Sequence, residues 1–179
     1  MTKQHRPMIL ATPVYDLTVA RYLAAREVDF IGISLDLSRY ARPMQLSAFV
    51  NQLKEWIEGP RLIGVLSKSV LIESYFNEFD GFYSPELIET SSEKIIFSDG
   101  LKQENSTVDF HYLVYPSTGA VRNKENAFIE VSLEENPSAY FDFAGIIINP
   151  GQESQTGMCD FDALDSWFDH FDAAFRSQP

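Results

Sequence analysis

Only one cysteine, Cys159, occurs in 179 residues, which excludes an internal disulfide and any zinc site built on several thiolates. Positive charge is also scarce: 14 Lys and Arg stand against 26 Asp and Glu, a formal net charge of -12. A chain this acidic repels phosphate backbones and anionic lipid, so neither a general nucleic-acid surface nor a membrane surface is expected. No apolar run approaches the roughly 20 residues that span a bilayer. The opening MTKQHRPMILATPVYD has no long apolar stretch of the signal-peptide kind. The expectation is a cytoplasmic protein. The histidines His5, His111 and His170 have no metal-ligand spacing with one another or with Cys159. No metal and no cofactor is expected. No Pro/Gly/Ser-rich linker divides the chain, and its length suits a single domain over residues 1–179.

What the sequence does have is a recurring alternation of short apolar runs with amphipathic segments. The runs are Pro7–Ala11, Phe30–Leu35, Arg61–Leu66, Gly81–Tyr83, Lys94–Phe97, His111–Tyr115, Ala127–Val131 and Ala144–Ile148. Continuous apolar runs such as FIGISL are the mark of strands buried on both faces, as in parallel sheets. Between the first two runs, Asp16–Glu27 places Val19, Tyr22 and Leu23 on one helical face. A second helix opens at Pro43, whose missing N–H costs nothing at a first helical position. Its stripe is Leu46, Phe49, Val50, Leu53, Trp56 and Ile57, and Gly59-Pro60 ends it. A further helical stretch runs through Val70, Leu71, Tyr75 and Phe76. The last helix has Asp160 as its expected N-cap and an inner face of Phe161, Leu164, Trp167, Phe168, Phe171 and Phe175. Both Trp56 and Trp167 lie on apolar stripes and are expected to be buried. Polar connections such as GLKQENSTVD are too short and polar for full helices. Eight apolar runs alternating in this way fit an α/β fold, either a closed (β/α) barrel or an open doubly wound sheet.

The segment Ser34–Gln45, SLDLSRYARPMQ, read with FIGISL before it, resembles the second strand and following loop of phosphoribosylanthranilate isomerases, the (β/α)8 enzymes of the tryptophan pathway. Ser38, Arg39 and Tyr40 match that loop, with Leu37 where proline is usual. RLIGVL is similar to the family's third strand, and FDGFYSPE falls where its fourth strand lies. Near the end, NPGQESQTGMCDFDAL is similar to the family's Ser-Ser-Gly-Val-Glu ending, with Gly151, Glu153, Gly157 and Asp160 in matching places. The resemblance implies a (β/α)8 TIM barrel, here reduced, with several crossover helices short or missing.

It also implies a chemistry that this chain lacks the groups to perform. The family's Amadori rearrangement needs a general acid to open the ribose ring and a general base to take the C2′ proton. Where the family has its cysteine base, this chain has Leu10; where it has its aspartate acid, Tyr115, a phenol that ordinarily ionises near pH 10. The Gly-Gly of its phosphate loop is replaced by Val131-Ser132. The expected protein is therefore inactive in that rearrangement and retains at most the binding of a small phosphorylated or carboxylate ligand. The residues assigned to such a ligand are Arg39, which would fork onto a carboxylate, Ser132, the turn Asn149 to Gly151, and Glu130. The alternative is an enzyme with altered acid/base chemistry on a phosphorylated sugar-like substrate, using Glu130, Tyr115 or Asp36. Glu130, a carboxylate inside the apolar run AFIEV, is the best candidate for that chemistry, and an outward placement would remove it. It either faces the barrel mouth or points away, paired with a cation such as Lys94 or Arg122. Thr12 and Ser98 are the remaining polar residues at expected strand ends.

Overall fold

The apolar runs become strands because each is buried on two sides. The computed structural model describes residues 6–36, 43–66, 77–84, 94–100, 111–121, 123–151 and 161–177. Its strands are β1 (Met8–Val14), β2 (Phe30–Ser34), β3 (Arg61–Val65), β4 (Gly81–Ser84), β5 (Ile95–Asp99), β6 (His111–Pro116), β7 (Ala127–Val131) and β8 (Gly145–Ile148). All pair in parallel and in sequence order, and β8 returns to β1 through Met8↔Gly145 to Ala11↔Ile148, which closes the barrel. The expected strand positions hold to within a few residues. The largest difference is β1, which continues to Val14 across a register shift after Ala11.

Strand alternation splits the core into two layers. Leu10, Phe30, Ile63, Ile95, Phe97, Val114, Phe128 and Ile147 fill the barrel interior. The opposite parity, including Ile9, Ile31, Leu62, Phe82, Leu113, Ile129 and Ile146, packs outward with the helices. The interior is largely aromatic: Phe97 meets Phe128 at 5.0 Å and Phe30 at 5.4 Å edge-on, and stacks on Tyr112 at 5.3 Å between ring centroids. Such pairs favour the offset and perpendicular arrangements seen here. Rings of this size need space, and Gly145 supplies it, since a Cβ there would stand 2.2 Å from Phe128.

Among the described residues the helices are α1 (Leu17–Ala25), α2 (Pro43–Trp56) and α3 (Asp162–Arg176). Asp16 caps α1, its Oδ1 accepting from the Val19 N–H at 2.8 Å. α2 begins at Pro43, as expected, and buries Leu46, Val50 and Leu53. α3 buries Leu164, Trp167, Phe168 and Phe171, and Trp167 stacks on Phe171 at 5.5 Å. Arg26 ties α3 to α1, pairing with Asp165 and with Asp169 at 3.1 Å, while Tyr22 donates to Asp165 at 2.7 Å. Burial and that carboxylate push the Tyr22 phenol up to about 12. None of the described helices is long and apolar enough to cross a membrane.

Two expectations about helices need correction. Trp56 is 59% exposed, with Arg21 over its ring at 5.2 Å. At 3.6 residues per turn it falls about 80° from the Leu46–Val50–Leu53 seam, at the edge of the stripe. The N-cap of α3 is Phe161, which makes no side-chain cap bond and stacks instead on Tyr22 at 4.4 Å. Asp160, the expected cap, lies outside the described residues, as do the helical stretch through Val70 and Phe76 and the segment 101–110.

The two tryptophans therefore separate in a stability measurement. Trp167→Ala should cost about 3–5 kcal/mol, as large core truncations do. Trp56→Ala should cost about 1 kcal/mol or less, the worth of an exposed cation–π contact. Urea unfolding of both variants checks this, and equal losses would contradict the placement of α2.

Candidate functional site

The same parity that fills the interior decides what reaches the mouth. Moving two residues beyond the interior layer brings Thr12 after Leu10, Ser34 after Gly32, Tyr83 after Gly81, Asp99 after Phe97 and Glu130 after Phe128. At the C-terminal strand ends, Thr12, Ser34, Asp36, Tyr83, Glu130 and Asn149 line a cleft of about 490 Å³, with Tyr15 and Val65 among its apolar walls. That volume lies within the roughly 300–1,000 Å³ of small-molecule sites. A larger groove of about 690 Å³ lies between residues 133–138, in the connection that follows β7, and α3.

Glu130 faces this cleft. Its Oε1 accepts a hydrogen bond from the Tyr83 hydroxyl at 3.0 Å. Lys94, a possible ion-pair partner in the outward reading, lies at the start of β5 and donates to the Phe79 carbonyl at 2.6 Å; Arg122 is outside the described residues. Tyr83 was not evident as a site residue from sequence. Its ring rests on the interior, 6.5 Å from Phe97, and its hydroxyl reaches the mouth. Burial, followed by the negative charge of Glu130, pushes its ionisation far above the ordinary value.

Two other strand-end candidates turn the wrong way. Tyr115 packs in the outer layer, where a Cβ on Gly100 would stand 2.3 Å from its ring. Ser98 is likewise buried on the outer side, its Oγ 2.6 Å from His111 Nε2, and burial holds that imidazole below its usual value. Both are odd steps from the interior residues Val114 and Phe97, so the pleat carries them outward. Leu10, in contrast, is wholly buried in the interior layer.

The backbone N–H groups assigned to an anion have acceptors of their own. The Gly151 N–H donates to Asn149 Oδ1 at 3.0 Å across a turn in which Gly151 has φ of +76°, a conformation glycine adopts readily. The Ser132 N–H donates to Glu135 Oε1 at 3.1 Å, and Tyr140 donates to the other carboxylate oxygen. Tyr140, then the Ser132 N–H, holds the Glu135 carboxyl below its usual range. Arg39 lies outside the described residues, and among the described residues that line the cleft there is no Lys or Arg. No three described His, Cys, Asp or Glu side chains are grouped to hold a metal ion.

One polar atom at the mouth stands out. Thr12 is 8% exposed, and its Oγ1 has no hydrogen-bond partner among the described residues. It sits over Gly32, where a Cβ would come within 2.4 Å of it. A buried hydroxyl left unpaired costs about 1–3 kcal/mol, so it marks a place where structure yields to another demand.

The Tyr83–Glu130 pair has a measurable consequence at high pH. Tyr83 should stay protonated well past pH 10, the ordinary tyrosine value of about 10 being that of the unfolded chain. Its folded-state value is raised, so its contribution to stability is complete below about pH 10 and is lost as pH climbs toward the folded value. Glu130→Gln removes the charge and should lower the Tyr83 ionisation, read by ultraviolet titration against Tyr83→Phe. A Tyr83 that ionises with the exposed tyrosines would contradict the pairing. No family model matches this chain, and no curated protein matches it either.

Proposed function

We propose that this chain is a reduced, cytoplasmic (β/α)8 barrel of the phosphoribosylanthranilate isomerase type, with several crossover helices short or missing. It has lost the Amadori rearrangement and keeps its C-terminal mouth as a small-molecule site. The observation that carries this reading is the pair of positions matching the family's base and acid. Leu10 is a hydrocarbon sealed in the interior, and Tyr115 packs in the outer layer. Neither offers a proton at the mouth. The cleft at the strand ends supports retained binding. The anion-directed part of the resemblance is weaker, because the Ser132 and Gly151 N–H groups are engaged.

A second reading is favoured by the Tyr83–Glu130 hydrogen bond. A carboxylate within bonding reach of a phenol, beside Asp36 in the same cleft, is a candidate acid/base set for altered chemistry on a sugar-like substrate. Tyr115 has no place in it.

The test is complementation of a strain lacking the isomerase, followed by assay of concentrated protein on phosphoribosylanthranilate. The expected outcome is no complementation and no turnover, since acid and base groups contribute about 10²–10⁴-fold each. Turnover abolished by Glu130→Gln would overturn the non-catalytic reading in favour of the second.

A further inference from the structure

We infer that the mouth takes an uncharged, hydroxyl-rich small molecule, a sugar or polyol without phosphate. The inference rests on the mouth being a ligand site, and adds the chemistry of what fills it. Glu130 and Asp36 line the cleft, and the charge of Asp99 acts on Tyr83 from the neighbouring strand. A phosphate or carboxylate entering there meets like charge from the cleft and from a chain of net charge -12. The backbone donors that would offset this are already bonded, to Asn149 and to Glu135.

The same groups suit hydroxyls. A carboxylate offers about four acceptor sites, of which Tyr83 fills one on Glu130. Asn149 uses its Oδ1 for Gly151, which leaves its NH₂ to donate. Ser34 adds a hydroxyl to the wall. Thr12 supplies the independent sign: a hydroxyl more than nine-tenths buried, on the cleft wall, with no partner for Oγ1 among the described residues. A hydroxyl both donates and accepts, so a sugar hydroxyl satisfies Thr12 and a carboxylate together, which an anion does not. Gly32 makes room for the Thr12 side chain itself, because a Cβ there would come within 2.4 Å of Oγ1.

The experiment is an amide-resolved NMR titration of the full chain with neutral pentoses, hexoses and short polyols, in parallel with the corresponding sugar phosphates. The expected result is saturable shifts at Thr12, Ser34 and Asn149 with at least one neutral compound, and weaker binding of its phosphate. Thr12→Val should weaken that binding about 3- to 10-fold, the worth of one hydrogen bond, without lowering Tm. Glu130→Gln should weaken it as well. Tighter binding of a sugar phosphate than of its parent sugar, or binding that Thr12→Val leaves unchanged, would overturn the inference while leaving the mouth as a site. No response to any compound in either series would remove both.

Discussion

Eight parallel strands closed on themselves enclose a fixed volume, and filling it governs everything above it. Phe30, Phe97, Phe128 and Tyr112 occupy that volume with rings 4.9 to 6.2 Å apart. They fit because Gly145 withholds a side chain where Phe128 lies. Substituting alanine at Gly145 would force a ring or a strand to move, since packed interiors have no slack to absorb a methyl. The closing ladder between β1 and β8 runs alongside this contact, so interior packing and barrel closure depend on each other.

The packed interior also sets the floor of the mouth. Tyr83 spans the two regions, with its ring against Phe97 and its hydroxyl on Glu130. A carboxylate inside an apolar run is thus held at the mouth by a residue anchored in hydrocarbon. At the opposite end, Asp29 and Asp80 do a related service for the backbone. Each precedes a strand and accepts the N–H of the strand before it, from Ile9 and from Leu62, both at 2.8 Å. Buried edge donors are satisfied there without further chain.

Much of the fold was legible because the strands announce themselves as continuous apolar runs, and all eight formed where those runs lie. The order of pairing was not legible from the pattern, and only the resemblance around Ser34–Gln45 favoured closure over an open sheet. The site was half legible. Glu130 was marked by being charged within AFIEV. Tyr83 was hidden because GFYS reads as ordinary core, although it stands in the same inward parity as Glu130. Tyr115 and Ser98 were misplaced by taking strand ends without their pleat: a single residue's step turns a side chain from mouth to outer layer. Trp56 failed for the helical counterpart of that reason, since a stripe's edge is apolar in sequence but lies outside the seam.

The Glu135 carboxylate on the Ser132 N–H has a consequence of another kind. It is bound to the chain three residues from the N–H that donates to it, so its local concentration is that of a short tether, on the order of millimolar or above. Any free anion approaching this loop competes against a resident one that cannot diffuse away. The loop is in effect self-liganded, and its occupancy is set by the covalent chain rather than by the composition of the solution around it.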